Sequence, residues 1–199
     1  MGPNKINKAN LTEIFKKYPT DKPKYADFYS RYFKGLQPKV ILEIGVLKGG
    51  SHYAWQDVFH GARVVGIDID PTCKDNYKDL EVYIGDQTDT KFLDYVLNEI
   101  GSVPDIIIDD GGHKRSHQVK TMKHLYPKLL PGSLYIIEDL ETSFLSAWND
   151  YHISAIDYVK SMVEPIDYKG KQRALGESTI FHYAASSIVF EPNIVLLRK

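Results

Sequence analysis

At 199 residues, 43% of them hydrophobic, the chain is long enough for one well-buried core and short for two. Its 25 Lys and Arg nearly balance 26 Asp and Glu, leaving a formal charge of -1, which excludes the basic footprint of a nucleic-acid or anionic-membrane binder. A single cysteine, Cys73, excludes an intrachain disulfide, and no apolar run reaches membrane-spanning length. With the polar opening MGPNKINKAN, these features point to a cytoplasmic setting, a small or neutral partner and no membrane, and leave a homo-oligomer open.

In chain order, residues 1–36 read as helix, loop, helix, a segment suited to capping a sheet or covering a site. From about Val40 onward, apolar strand-like runs alternate with helical patterns, the signature of a parallel sheet with helices on both faces. The predicted strands are KVILEIG (39–45), RVVGIDI (63–69), EVYIGD (81–86), PDIIIDD (104–110) and SLYIIED (133–139). Between them SHYAWQDVF, TKFLDYVLNEI and SHQVKTMKHLYPKLL carry helical spacing, the last stopped by Pro131-Gly132. A further helix is expected near NDYHISAIDYVKSMV. Two β-rich runs follow, STIFHYA and SIVFEPNIVLLRK, which favour an antiparallel pair at the sheet edge. The expectation is one α/β domain over 1–199, doubly wound and mostly parallel, with seven strands, a C-terminal antiparallel hairpin and residues 1–36 as a helical cap.

In doubly wound sheets, ligands bind beyond the carboxyl ends of the strands. The first strand ends in EIGVLKGGS, where Glu43, Gly45, Gly49 and Ser51 form a strand-to-helix loop whose glycines let backbone approach a ligand. It is not G-x-G-x-x-G, because Val46 and Leu47 follow Gly45, and this argues against a nicotinamide-dependent oxidoreductase. The second strand ends in Asp68-Ile69-Asp70. A carboxylate there can accept both hydroxyls of a ribose, or can serve as a turn or cap ahead of Pro71. The third ends in GDQTD, where Asp86 and Gln87 could accept from an adenine amino group or start a helix. Together these ends suggest an adenosine-containing ligand.

ILEIGVLKGGS, VVGIDID, IGDQTD, IIIDDGGH and LYPKLLPGSLYIIEDLETSF, in this order, resemble class I S-adenosylmethionine-dependent methyltransferases. More narrowly they are similar to the Rossmann-like sugar O-methyltransferases that act on macrolide and rhamnosyl sugars. Thr20-Asp21-Lys22 also resembles that branch's N-terminal motif. Two positions depart from it: D-G-S-H appears as Asp110-Gly111-Gly112-His113, and Lys24 precedes Tyr25 where histidine is frequent.

The fourth and fifth strand ends concentrate charge. Asp110, Glu138 and Asp139 could converge, and three close carboxylates repel unless protons or a cation intervene. A hard divalent ion, Mg²⁺ or Mn²⁺, suits such oxygen donors. The resemblance implies the same assignment, with Asp110, Glu138 and Asp139 as metal ligands and His113 as general base beside Asp110. It also implies S-adenosyl-L-methionine as cofactor, with Asp109 facing its methionine part, and a small-molecule or glycan acceptor presenting a hydroxyl. Helix capping by either acidic pair, a catechol acceptor and a non-catalytic scaffold are the competing readings. His117, four residues after His113, reads as a solvated helix position, Trp55 as core, and Trp148 as a residue of the loop near the proposed metal.

Overall fold

The computed structural model describes residues 6–76, 79–162 and 185–199. Seven strands, β1 (Val40–Ile44), β2 (Arg63–Asp68), β3 (Glu81–Ile84), β4 (Ile106–Asp109), β5 (Leu134–Ile137), β6 (Ser187–Glu191) and β7 (Ile194–Arg198), form one sheet in the order β3-β2-β1-β4-β5-β7-β6. The first five are parallel, whereas β7 runs antiparallel to both β5 and β6. The helices are α1 (Lys8–Lys16), α2 (Ala26–Tyr32), α3 (Gly50–Val58), α4 (Thr72–Asn76), α5 (Thr90–Ile100), α6 (Arg115–Leu125) and α7 (Ala155–Lys160), with a 3₁₀ turn at Lys22–Tyr25 leading into α2. This is the doubly wound Rossmann-like architecture expected from the alternation.

The central strands are apolar at nearly every position because both faces of the sheet are covered. Successive side chains point to opposite faces. Leu42, Ile107, Tyr135 and Val195 pack with α5, α6 and α7, while Ile41, Ile106, Ile136 and Leu196 pack with α1, α2 and α3. On the second face Phe15, Tyr29, Phe33 and Trp55 meet edge to face or tilted, with ring centroids 4.7–6.3 Å apart. The N-terminal segment is thus welded to the sheet by its aromatic residues, and Trp55 is core as expected.

The expected antiparallel C-terminal hairpin is present at the sheet edge, and in the described residues it lies within the run SIVFEPNIVLLRK. Pro192 and Asn193 form its two-residue turn, with Asn193 at φ 63, and the register joins Glu191 to Ile194. Proline presets the first turn position and asparagine tolerates a left-handed second one. The run STIFHYA (178–184) lies outside the described residues. The helix expected near residues 149–163 begins only at Ala155, capped by the Ser154 hydroxyl on the Asp157 N–H at 3.1 Å; before it, Ser146–Trp148 is a 3₁₀ turn.

Candidate active site

All five parallel strands end on one side, and a cleft of about 310 Å³ opens there between the ends of β1, β2, β3 and β4. Gly45, Asp68, Asp86 and Gln87 line it, together with Asp110, His113 and two apolar residues left facing solvent, Leu47 and Ile69. Gly45 sits at φ 91, and a Cβ on it would lie 2.7 Å from the Asp110 carbonyl carbon and 2.8 Å from Gly111 Cα, so the close approach of two loops requires glycine. Asp68 Oδ2 accepts from the backbone N–H groups of Val46 and Leu47, at 2.8 and 2.9 Å. Those amides and the Asp70 N–H outweigh its half-burial and hold the carboxyl below the usual range. Asp68 therefore orders the glycine loop while also lining the cleft.

Gln87 performs a similar service one layer deeper. Its Nε2 donates to Asp109 and to Thr121 Oγ1, both at 3.1 Å, and its Oε1 accepts from the Gly112 N–H at 2.6 Å. Asp109 is buried between Gln87 and the Tyr135 hydroxyl (3.2 Å), and burial pushes its carboxyl up to about 7. Glu43 is also buried, with Oε1 accepting from Trp55 Nε1 and Oε2 facing His52 Nδ1, each at 3.0 Å. Gly49, at φ 68, starts α3, whose first turn is covered by the backbone of Pro19 against Gly50. Glu43, Gly49, Ser51 and Asp109 are not among the residues that line the cleft; the Glu43, Ser51 and Asp109 side chains are buried behind it.

Beside the cleft lies a charged cluster that links residues more than a hundred positions apart. Lys22 is fully buried, its Nζ donating to Asp110 and, at 2.9 Å, to Glu138 Oε2, while the Tyr29 hydroxyl donates to Glu138 Oε1. Burial disfavours the Lys22 ammonium, but the charges of Glu138, Asp110 and Glu43 overcome it and keep the group charged. On the outer side Lys24 bridges Asp139 (2.7 Å) and Asp21 (2.6 Å), and the Tyr25 hydroxyl donates to Asp139 at 2.8 Å. These partners outweigh partial burial and hold Asp139 below the usual carboxylate range. Asp139 itself is left-handed, at φ 54, a strained conformation for a non-glycine residue at a strand end. His113 Nε2 lies 3.8 Å from Asp139 Oδ2, and its ring meets Trp148 edge to face at 5.8 Å.

Two lysines thus face four carboxylates, and burial drives Asp110 and Glu138 upward despite Lys22. Four carboxylates against two ammonium groups leave a charge balance suited to one more cation. Asp110, His113 and Asp139 each offer a donor atom, all within 4.8 Å of one another, and Asp21, Asp110 and Glu138 do the same. The donor chemistry fits a hard divalent ion. The structure brings Asp110, Glu138, Asp139 and His113 to one place, but both Glu138 oxygens already hold protein donors, so the open face of the cluster is that of Asp110, His113 and Asp139.

Lys22, Tyr25 and Tyr29 are the cluster residues that strand-end reading missed. The signal available for Lys22 was Thr20-Asp21-Lys22; nothing in the spacing of Tyr25 or Tyr29 announces a contact with β5. The loop after β5 is pinned over the site by α6: Arg115 donates to the Ser143 carbonyl and to Asn149 Oδ1, each at 2.7 Å, and Asp150 caps the Ser116 N–H at 3.0 Å.

No protein-family model matches the chain. It is 29% identical over 189 residues to 8-demethyl-8-alpha-L-rhamnosyl tetracenomycin-C 2'-O-methyltransferase of Streptomyces olivaceus, which covers 88% of this chain and 50% of that protein. It is 30% identical over 182 residues to mycinamicin VI 2''-O-methyltransferase of Micromonospora griseorubida, covering 81% and 45%. The chain spans about half the length of the curated relatives it matches. Among solved structures, the MycE methyltransferase of the mycinamycin biosynthetic pathway, in complex with Mg, SAH and mycinamycin VI, superposes with a TM-score of 0.82 at 25% identity, over 95% of this chain and 53% of that one. By sequence and by architecture, this chain is a homologue of the sugar O-methyltransferases with a Rossmann-like methyltransferase fold.

Proposed function

We propose that the protein transfers a methyl group from S-adenosylmethionine to a hydroxyl of a sugar, assisted by a divalent cation. The observation that carries this reading is one junction: Asp110 and His113 belong both to the wall of the cleft and to the carboxylate cluster. A ligand in the cleft and a hydroxyl at the cluster would therefore meet at these two residues. The chain's relatives act on rhamnosyl and macrolide sugars, and MycE was solved with Mg and SAH, which favours the same reagents here.

In this reading Gly45, Asp68, Asp86 and Gln87 hold the nucleoside, and the loop amides fixed by Asp68 shape the cleft around it. Asp110 and Asp139, with Glu138 behind them, would hold Mg²⁺, or Mn²⁺, which supplies charge that makes a sugar hydroxyl easier to ionise. His113 takes the hydroxyl proton at Nε2, Asp139 stabilises the resulting imidazolium, and Trp148 keeps the ring in place. The methyl then moves from sulfur to oxygen, so the protein's share is orientation and proton removal. Exposed Phe144 and Leu145, on the loop that brings Trp148 to His113, would provide apolar surface for an acceptor.

The test is transfer of labelled methyl to rhamnosides with added Mg²⁺, using wild type, His113→Ala and Asp110→Asn. Each substitution is expected to lower turnover at least a hundredfold, on the order of a lost general base, while His113→Ala still binds S-adenosylhomocysteine. Full turnover in both variants defeats the mechanism. Turnover of catechols but no sugars replaces the acceptor class.

A further inference from the structure

The two lysines of the charged cluster are held in different ways. Lys22 lies between Asp110 and Glu138 with none of its side chain exposed, so it cannot withdraw without leaving two buried carboxylates unpaired. Lys24 stands on the outer rim with 41% of its side chain exposed. Its ammonium is shared between Asp139, at 2.7 Å, and Asp21, at 2.6 Å, and lies 4.7 Å from the centre of the Tyr25 ring. Asp21 is three residues before Lys24, on the same stretch of backbone. An ammonium that gave up Asp139 would therefore keep one ion pair and gain water in place of the other.

Asp139 would not follow it. The Tyr25 hydroxyl donates to the same Oδ1 at 2.8 Å and accepts from the Asp139 N–H at 3.3 Å, while the Thr142 hydroxyl and N–H hold the Asp139 carbonyl at 2.8 and 3.2 Å. Oδ2 faces His113 Nε2 at 3.8 Å. The left-handed backbone of Asp139 and its carboxylate are thus fixed by neighbours other than Lys24. A lysine touching one donor of a cation site repels an incoming ion, to the extent that surrounding water and salt leave its charge unscreened.

We propose that Lys24 is a resident cation that sets the metal affinity of the cluster: a divalent ion entering at Asp110, His113 and Asp139 takes the place of the Lys24 ammonium at Asp139, and the ammonium retires to Asp21. Before the ion arrives, Lys24 supplies part of the positive charge the carboxylates need; afterwards that charge is redundant. The inference rests on the cation-assisted reading of the cluster.

The experiment is titration of the full chain with Mn²⁺, the free ion being followed by electron paramagnetic resonance, for wild type, Lys24→Gln and Lys24→Arg. Glutamine keeps most of the side chain and removes the charge, so Lys24→Gln is expected to bind about tenfold more tightly than wild type at low salt, and the gap should narrow at high salt. Arginine keeps the charge and should stay within about threefold of wild type. If wild type binds and Lys24→Gln binds within about twofold of it, or more weakly, the inference is overturned and the cation-assisted reading stands. Equal tightening in both variants, or a gap that salt leaves unchanged, also overturns it, because the effect would then not come from charge. Folded wild type and Lys24→Gln that both fail to bind Mn²⁺ at millimolar concentration overturn the inference and the cation-assisted reading together. The retreat has its own test: Asp21→Asn is expected to weaken Mn²⁺ binding more in the wild-type chain than in Lys24→Gln, and equal losses would overturn it.

Discussion

Lys22 shows how much one side chain can decide. Its ammonium is the internal counter-ion of Asp110 and Glu138, both held in a region where an unpaired carboxylate is costly. Lys22→Met is therefore expected to destabilise the fold by about 3 kcal/mol or more at neutral pH, read as a lower midpoint in urea. The loss should shrink under acid, as the abandoned carboxyls take up protons. Added Mg²⁺ should raise the variant's melting temperature more than the wild type's, because the ion then has the lysine's place to fill. An unchanged urea midpoint would remove Lys22 from the cluster. Gly45 is the second decisive position. Gly45→Ala must both hold φ 91 and push a methyl into the Asp110 and Gly111 backbone, so binding of S-adenosylhomocysteine should fall below detection in calorimetry while circular dichroism still reports a folded chain.

Among the elements, α2 and its leading 3₁₀ turn do what strands usually do in this architecture, delivering Lys22, Tyr25 and Tyr29 to the charges just past the ends of β4 and β5. Tyr29→Phe keeps the aromatic packing with Trp55 and Phe33 but strips Glu138 of a donor. A cost of about 1–3 kcal/mol is expected from chemical denaturation, and none if the hydroxyl is idle. At the opposite sheet edge, β2 and β3 are tied by Arg63, whose Nε and Nη2 meet the two Glu81 oxygens at 2.8 and 2.6 Å. Those hydrogen bonds hold the Glu81 carboxyl below its ordinary value. A carboxyl lowered on folding stabilises above its unfolded pKa, and the benefit is lost as pH falls through the folded value. Wild type should therefore exceed Glu81→Gln in stability at pH 7, by no more than roughly 1 kcal/mol for so exposed a pair, and the two should converge by about pH 3.

Across the whole molecule, the sheet separates two apolar clusters, one under α5, α6 and α7 and the other under α1, α2 and α3. The strands between them, β1, β4 and β5, are buried on both faces, so their amides should be the slowest to exchange with deuterium, with β3 and β6 at the sheet edges exchanging faster. Rapid exchange in β4 would contradict the layering. Among the described residues no helix is long and apolar enough to cross a membrane.

The strands, the helices between them and the doubly wound sheet were legible in the residues, because uninterrupted runs such as Ile106-Ile107-Ile108 only make sense with cover on both faces. The acidic strand ends were legible for the same reason: ionised Asp110, Glu138 and Asp139 immediately after such runs had to meet either water or a counter-charge. Which counter-charge they met was not. Local periodicity reports which face of an element is apolar, whereas the partner of a polar side chain is chosen by how distant segments pack. Folding therefore decided that Lys22 sits between Asp110 and Glu138, that Glu43 turns away from the cleft to hold His52 and Trp55, and that His117 enters the wall that Gly112 leaves open. Burial strengthens each of these polar contacts and makes each alternative expensive, which is why tertiary structure alone selects among them.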